Sequence, residues 1–155
     1  MIVDYLDLLM QMVVFLYNKV EKGAKKRKIS CRLRIEQRMI YHKTKNSYYN
    51  ILNVITGFLG CNLLTRKQLS TDNEYYILAT SRKSLLVIIN YFLVFPLFSS
   101  KYLDYLDWSK ALKLIINNKH YTDQGLIEID SLKNNMNNQR IYFNWDHLNK
   151  LSLYL

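Results

Sequence analysis

The chain has 155 residues, 50% of them hydrophobic and 14% aromatic, which suits one domain with a real core. Its 22 Lys and Arg against 12 Asp and Glu leave a formal net charge of +10 and favour a polyanion, either nucleic acid or an anionic membrane surface. Two lone cysteines and three scattered histidines argue against a disulfide framework or a zinc site, and no apolar run reaches the ~20 residues that span a bilayer.

In chain order, residues 1–15 are almost wholly apolar, interrupted by Asp4 and Asp7, and read as a buried helix with no secretory or transit signal visible. Residues 14–20 look strand-like, and 21–27 form a charged turn around Gly23. The alternating segment 28–40 follows. Lys28, Ser30, Arg32, Arg34, Glu36 and Arg38 fall on one parity; Ile29, Cys31, Leu33, Ile35, Gln37 and Met39 fall on the other. Successive strand side chains point to opposite faces, so one side suits a core and the other carries four cations. Between Lys19 and Lys45 there are eleven Lys or Arg and only two acids, Glu21 and Glu36. A local basic block of this kind marks a binding surface for nucleic acid.

Asn46 or Ser47 can cap a helix reaching about residue 58, with Tyr48, Ile51, Leu52, Ile55 and Phe58 inward and Gly60 as its stop. Residues 62–68 and 74–80 make two strands joined by the turn-forming run 69–73. A second helix starts at Ser81 or Ser84, turns Leu85, Ile88, Ile89 and Phe92 inward and ends before Pro96. A third covers 101–117 through Leu103, Leu106, Trp108, Leu112 and Ile115. Residues 125–135 form a further helix, and 142–155 close the chain. Trp108 and Trp145 read as packing anchors. The tyrosine pairs Tyr48–Tyr49 and Tyr75–Tyr76 read as divided between core and rim rather than as a base-stacking platform. The pattern is α+β with an antiparallel sheet.

The order helix, two strands, helix, two strands, helix on a basic sheet face resembles the αββαββα unit of LAGLIDADG homing endonucleases, with its four-stranded antiparallel sheet. RKISCRLRIEQR, SYYNILNVITGFLG, NLLTRKQ, EYYILATS and FPLFSSKYLDYLDW are similar to the intron-encoded members of fungal mitochondria. The tail HYTDQGLIEIDSLKNNMNNQRIYFNWDHL resembles their C-terminal extension. The resemblance runs from about residue 17 onward and implies one repeat over 1–120, with a degenerate first helix over 1–13, and an extension over 121–155. It further implies a mitochondrial protein whose partner is double-stranded DNA, in which a homodimer is possible and no membrane is involved. An RNA-binding maturase that assists splicing of its intron is the alternative.

Family members cleave DNA with Mg²⁺ held by an Asp at the end of the first helix. That stretch here reads YLDLLMQMVVF, with no acid after Asp7. Methionine cannot substitute, because Mg²⁺ wants oxygen ligands. The expectation is therefore no metal site and a DNA-binding protein that has lost cleavage. By matching, Gln37 falls where the family organises active-site water and Lys101 where it places a basic group near the scissile phosphate. Both are inherited catalytic positions expected to be inactive; equally, Gln37 simply ends the core face and Lys101 is an exposed charge at a helix start. Lys28, Arg32, Arg34, Arg38, Arg66 and Lys67 are the candidate nucleic-acid contacts, with Arg66 and Lys67 on opposite faces of their strand.

An AT-rich coding of residues 7–15, read two bases in, gives FIDADGCF. This points to a small upstream deletion compensated just before Tyr17; the alternative is an ordinary apolar helix that never held the motif. Sequencing the first 50 coding bases is expected to show FIDADG in another frame; its absence there would refute the frameshift.

Overall fold

The computed structural model describes residues 13–19, 29–80, 82–97 and 99–149. Strands β1 (Val13–Lys19) and β2 (Ile29–Arg38) come first. β2 divides as its alternation demands: Ile29, Cys31, Leu33 and Ile35 are buried, whereas Arg32 and Arg38 are exposed. Burial pushes the Cys31 thiol up to about 12 and the Cys61 thiol up to about 11, so both stay protonated and unreactive at neutral pH.

The chain leaves β2 through a tight connection. Tyr48 donates its backbone N–H to the Met39 carbonyl at 3.0 Å, and the Ser47 hydroxyl accepts from the Tyr49 N–H at 3.1 Å. Helix α1 (Tyr49–Leu59) then buries Leu52, Ile55, Thr56 and Leu59. It stops at Gly60, whose φ of 60° lies in the left-handed region that glycine enters without cost. That turn lets the N–H groups of Gly60 and Cys61 reach back to the carbonyls of Gly57 and Thr56.

β3 (Asn62–Lys67) and β4 (Glu74–Ala79) form an antiparallel hairpin closed by the Gln68 N–H on the Asn73 carbonyl at 2.8 Å. β4 also pairs antiparallel with β2, and the sheet order is β1-β2-β4-β3. Beyond Ala79 the Thr80 hydroxyl continues the ladder, accepting from the Leu33 N–H and donating to the Leu33 carbonyl. Helix α2 (Arg82–Val94) buries Leu85, Ile88 and Phe92, and the Ser84 hydroxyl donates to the Gly60 carbonyl. With Leu33, Ile35, Leu52, Ile55, Leu59 and Leu78 these residues form the core of one compact unit, Arg32–Phe95. Each fully buried aliphatic side chain there contributes about 1.5–3 kcal/mol.

A second unit takes in Pro96 onward, together with most of β1 and the start of β2. It contains α3 (Lys101–Ile116), α4 (Asp123–Asn134) and the short α5 (Asp146–Asn149). Trp108 and Ile129 are fully buried in it, with Tyr105, Leu112, Ile115, Leu126 and Met136. The Thr122 hydroxyl caps α4 by accepting from the Gly125 N–H at 3.1 Å. Gly125 is required there, because a Cβ would overlap the Lys119 carbonyl.

The α+β class and the strand–helix order read from the sequence hold from β1 onward. The helix expected over 1–15 lies outside the described residues as far as residue 12, and Val13, Val14 and Phe15 belong to β1. Phe58, expected inward, is half exposed, because the helix turns Leu59 into the core instead. Trp145 is also half exposed and no anchor; it stacks on His147 with ring centroids 6.1 Å apart. Among the described residues no helix is long and apolar enough to cross a membrane.

Two substitutions test the capping of α4 by urea unfolding. Thr122→Ala is expected to cost about 1 kcal/mol. Gly125→Ala is expected to cost more, about 1–3 kcal/mol net of its helix-propensity gain, because backbone must move. A stabilised Gly125→Ala variant would contradict the close approach.

Candidate nucleic-acid interface

The register of the three antiparallel strands fixes which side chains share a face. Cross-strand partners point the same way, so Arg34, Ala79 and Asn62 form one row. Glu36, Ile77 and Leu64 form the next, and Arg38, Tyr75 and Arg66 the third. Arg32 extends the same parity along β2. The face opposite the core of this unit thus carries four guanidiniums and one carboxylate.

Glu36 sits in the middle row and holds two of those guanidiniums. Its Oε2 accepts from Arg34 Nη2 at 2.7 Å and its Oε1 from Arg66 Nη1 at 3.1 Å. Arg66 reaches it across β4, a span of roughly 9–10 Å between backbones, which only a long side chain covers. The side chains of Arg34, Glu36 and Arg66 are 34%, 29% and 48% exposed, so solvent screens both pairs. Such pairs contribute about 0–1 kcal/mol each.

At the end of β2 the connection to α1 borders a concavity that the sequence reading did not single out, where Arg38 and Lys45 are balanced by Asp72 and Glu74. Its volume is about 310 Å³, and it is lined by Arg38, Met39, Ile40, His42, Lys45, Asp72, Asn73 and Glu74. Of its lining, Arg38 and Lys45 were legible in the sequence as part of the basic block, whereas Asp72 and Glu74 come from the β3–β4 hairpin.

The other predicted residues lie elsewhere. Gln37 is on the core parity of β2, opposite Tyr76, and so does not share a face with the arginines. Lys67 also has the opposite parity from Arg66 and pairs with Asp72 at 2.8 Å. Lys28 and its upstream neighbours lie outside the described residues. Tyr75 joins the cationic face, while Tyr76 lies on the other face against Tyr49, ring centroids 5.9 Å apart.

Lys101 opens α3 in the second unit and is not a free surface charge. Its Nζ donates to Asp104 Oδ2 at 3.1 Å and to Asn137 Oδ1 at 3.2 Å. Asp104, only 5% exposed, also accepts from Arg140 Nε at 2.8 Å, and Arg140 Nη2 reaches Asp107 at 2.6 Å. Burial works against the Arg140 charge, but the hydrogen bonds of Asp104 and Asp107 more than offset it and raise its pKa. Sequence reasoning missed this network because Arg140 is 36 residues from Asp104.

Among the described residues no group of three or more His, Cys, Asp or Glu side chains is placed to hold a metal ion. The carboxylates of Asp104 and Asp107 are already engaged by cations.

A model of the LAGLIDADG endonuclease family matches residues 14–112, and the chain belongs to that family. It is homing endonuclease-like. A probable intron-encoded DNA endonuclease, aI1 of Mycosarcoma maydis, is 38% identical over 114 residues, covering 70% of this chain and 94% of that protein. The intron-encoded DNA endonuclease aI3 of Saccharomyces cerevisiae is 31% identical over 134 residues, covering 74% of this chain and 32% of its own length. Among solved structures, meganuclease I-SmaMI bound to uncleaveable DNA superposes with a TM-score of 0.70 at 25% identity, over 89% of this chain and 45% of that one. The chain therefore spans less than half of I-SmaMI.

The buried network predicts a contrast in stability. Asp104→Asn leaves Arg140 and Lys101 short of a counter-charge and is expected to cost about 3 kcal/mol in urea unfolding. Lys67→Ala removes an exposed pair and is expected to change stability by less than about 1 kcal/mol. Equal costs would show that the network is not buried as described.

Proposed function

We propose that the cationic sheet face binds double-stranded DNA at an intron insertion site, and that this chain does so without cutting it. The observation that carries the binding half is the row structure: Arg32, Arg34, Arg38 and Arg66 share one face of a sheet whose other face is core. A duplex offers phosphates to such a surface for positioning and base edges in the major groove for reading. The relatives' description as intron-encoded DNA endonucleases supports the same partner.

Loss of cleavage rests on donor chemistry. The family's activity needs Mg²⁺, and the residues here do not fit it: Met10, Gln11 and Met12 stand in a stretch, 8–19, that contains no carboxylate. Gln37 and Lys101 then remain as inherited positions without a reaction to assist. We further read the chain as a mitochondrial product consisting of a single repeat over 1–120 and an extension over 121–155. A homodimer, in which two copies present two such faces, is part of this reading.

Fluorescence anisotropy with a duplex spanning the exon junction, a scrambled duplex and the intron RNA tests the binding claim. Expected is duplex binding whose logarithm falls linearly with log salt, by about 0.9 per phosphate neutralised. Arg32→Ala with Arg38→Ala should make that slope shallower by about 2. Tighter binding to intron RNA would make the chain a splicing maturase instead. In a Mg²⁺ nicking assay on supercoiled plasmid no cleavage is expected. Cleavage abolished by Asp4→Asn with Asp7→Asn would overturn the loss of activity.

A further inference from the structure

The geometry points to Glu36 as the specificity-determining residue of the cationic face: it turns Arg34 and Arg66 from phosphate binding to base reading. This rests on the DNA-binding proposal above. Glu36 occupies the central row, between the Arg34 row and the row of Arg38 and Arg66. Each of its carboxylate oxygens takes one guanidinium, so the two arginines are fixed in relation to each other and to the strand.

Stability does not account for this arrangement. Both pairs are partly exposed, and pairs of that kind contribute little to folding. A surface that needed only affinity would do better without the carboxylate, which repels the phosphates that the neighbouring arginines attract. What the carboxylate supplies is discrimination. A phosphate docking on the middle row meets a negative charge and two guanidiniums already engaged. A base edge carries no formal charge, so the carboxylate penalises it less than a phosphate.

The base chemistry follows from the donors and acceptors present. An arginine fork matches the O6 and N7 acceptors of guanine, and a carboxylate accepts from the N4 amine of cytosine. Arg34, Glu36 and Arg66 together are therefore complementary to a G·C pair in the major groove. Ile77 and Leu64, which share Glu36's row, bring no donor for a phosphate. Arg32 and Arg38 lie on the same face, exposed and outside Glu36's row, and serve the phosphate backbone.

Selection of binding sites from a randomised duplex pool tests this with the full chain, Glu36→Gln, Arg66→Lys and Arg38→Ala. Wild type should enrich a motif containing a G·C pair. Glu36→Gln keeps the shape and removes the charge. It should bind random duplex more tightly, with a salt slope steeper by about 0.9 for each phosphate gained. It should also lose about tenfold of the preference at one base pair. Arg66→Lys keeps the charge without the fork and should lose the same preference. Arg38→Ala should weaken all duplexes alike and leave the motif intact. An unchanged motif in Glu36→Gln, whatever its affinity, would overturn the role of Glu36 while leaving DNA binding in place. Failure of the wild type to bind any duplex would overturn the DNA-binding proposal, and this one with it.

Discussion

Everything in the first unit depends on β2 serving two opposed environments at once. Leu33 and Ile35 are almost wholly buried beneath α1 and α2, and the residues between and beside them carry the charges. A slip of one residue would send guanidiniums into the core and aliphatic groups into water, so the register is strongly constrained. The pairings Arg34 with Ala79 and Arg38 with Tyr75 follow from that constraint. Once β4 is placed, β3 is placed too, and Arg66 arrives on the same face as the β2 arginines.

The chain uses one motif, a carboxylate between two cations, in two settings with different consequences. Glu36 between Arg34 and Arg66 is partly exposed, so its pairs orient the two guanidiniums while contributing little to folding stability. Asp104 between Lys101 and Arg140 is nearly inaccessible, so its pairs are hard to break and fix the segment around Asn137–Gln139 on α3. Burial alone separates a surface available for recognition from one committed to structure. Lys101 belongs to the buried setting, with its Nζ on Asp104 and Asn137.

Much of this was legible in the residues. Period-two alternation identified β2, Gly60 marked the end of α1, and the turn run 69–73 announced the hairpin. The face of Arg32, Arg34 and Arg38 followed from parity. What parity could not supply was the register between strands, and so the meeting of Glu36 with Arg66 was out of reach. The network at Asp104 was hidden for the same reason, since a contact over 36 residues leaves no periodic trace. Phe58 and Trp145 were misplaced because size and hydrophobicity favour burial on average, whereas the helix phase and neighbouring packing decide each case. The absence of a carboxylate from residues 8–19 was legible directly in the sequence.

The shared cationic face is tested most directly by arginine-selective modification with phenylglyoxal, with and without duplex, read by peptide mass mapping. Arg32, Arg38 and Arg66 should be protected together by DNA, while Arg140, only 9% exposed, should stay unreactive in both states. Protection of cations elsewhere, with Arg32, Arg38 and Arg66 equally reactive in both states, would contradict DNA binding through this sheet.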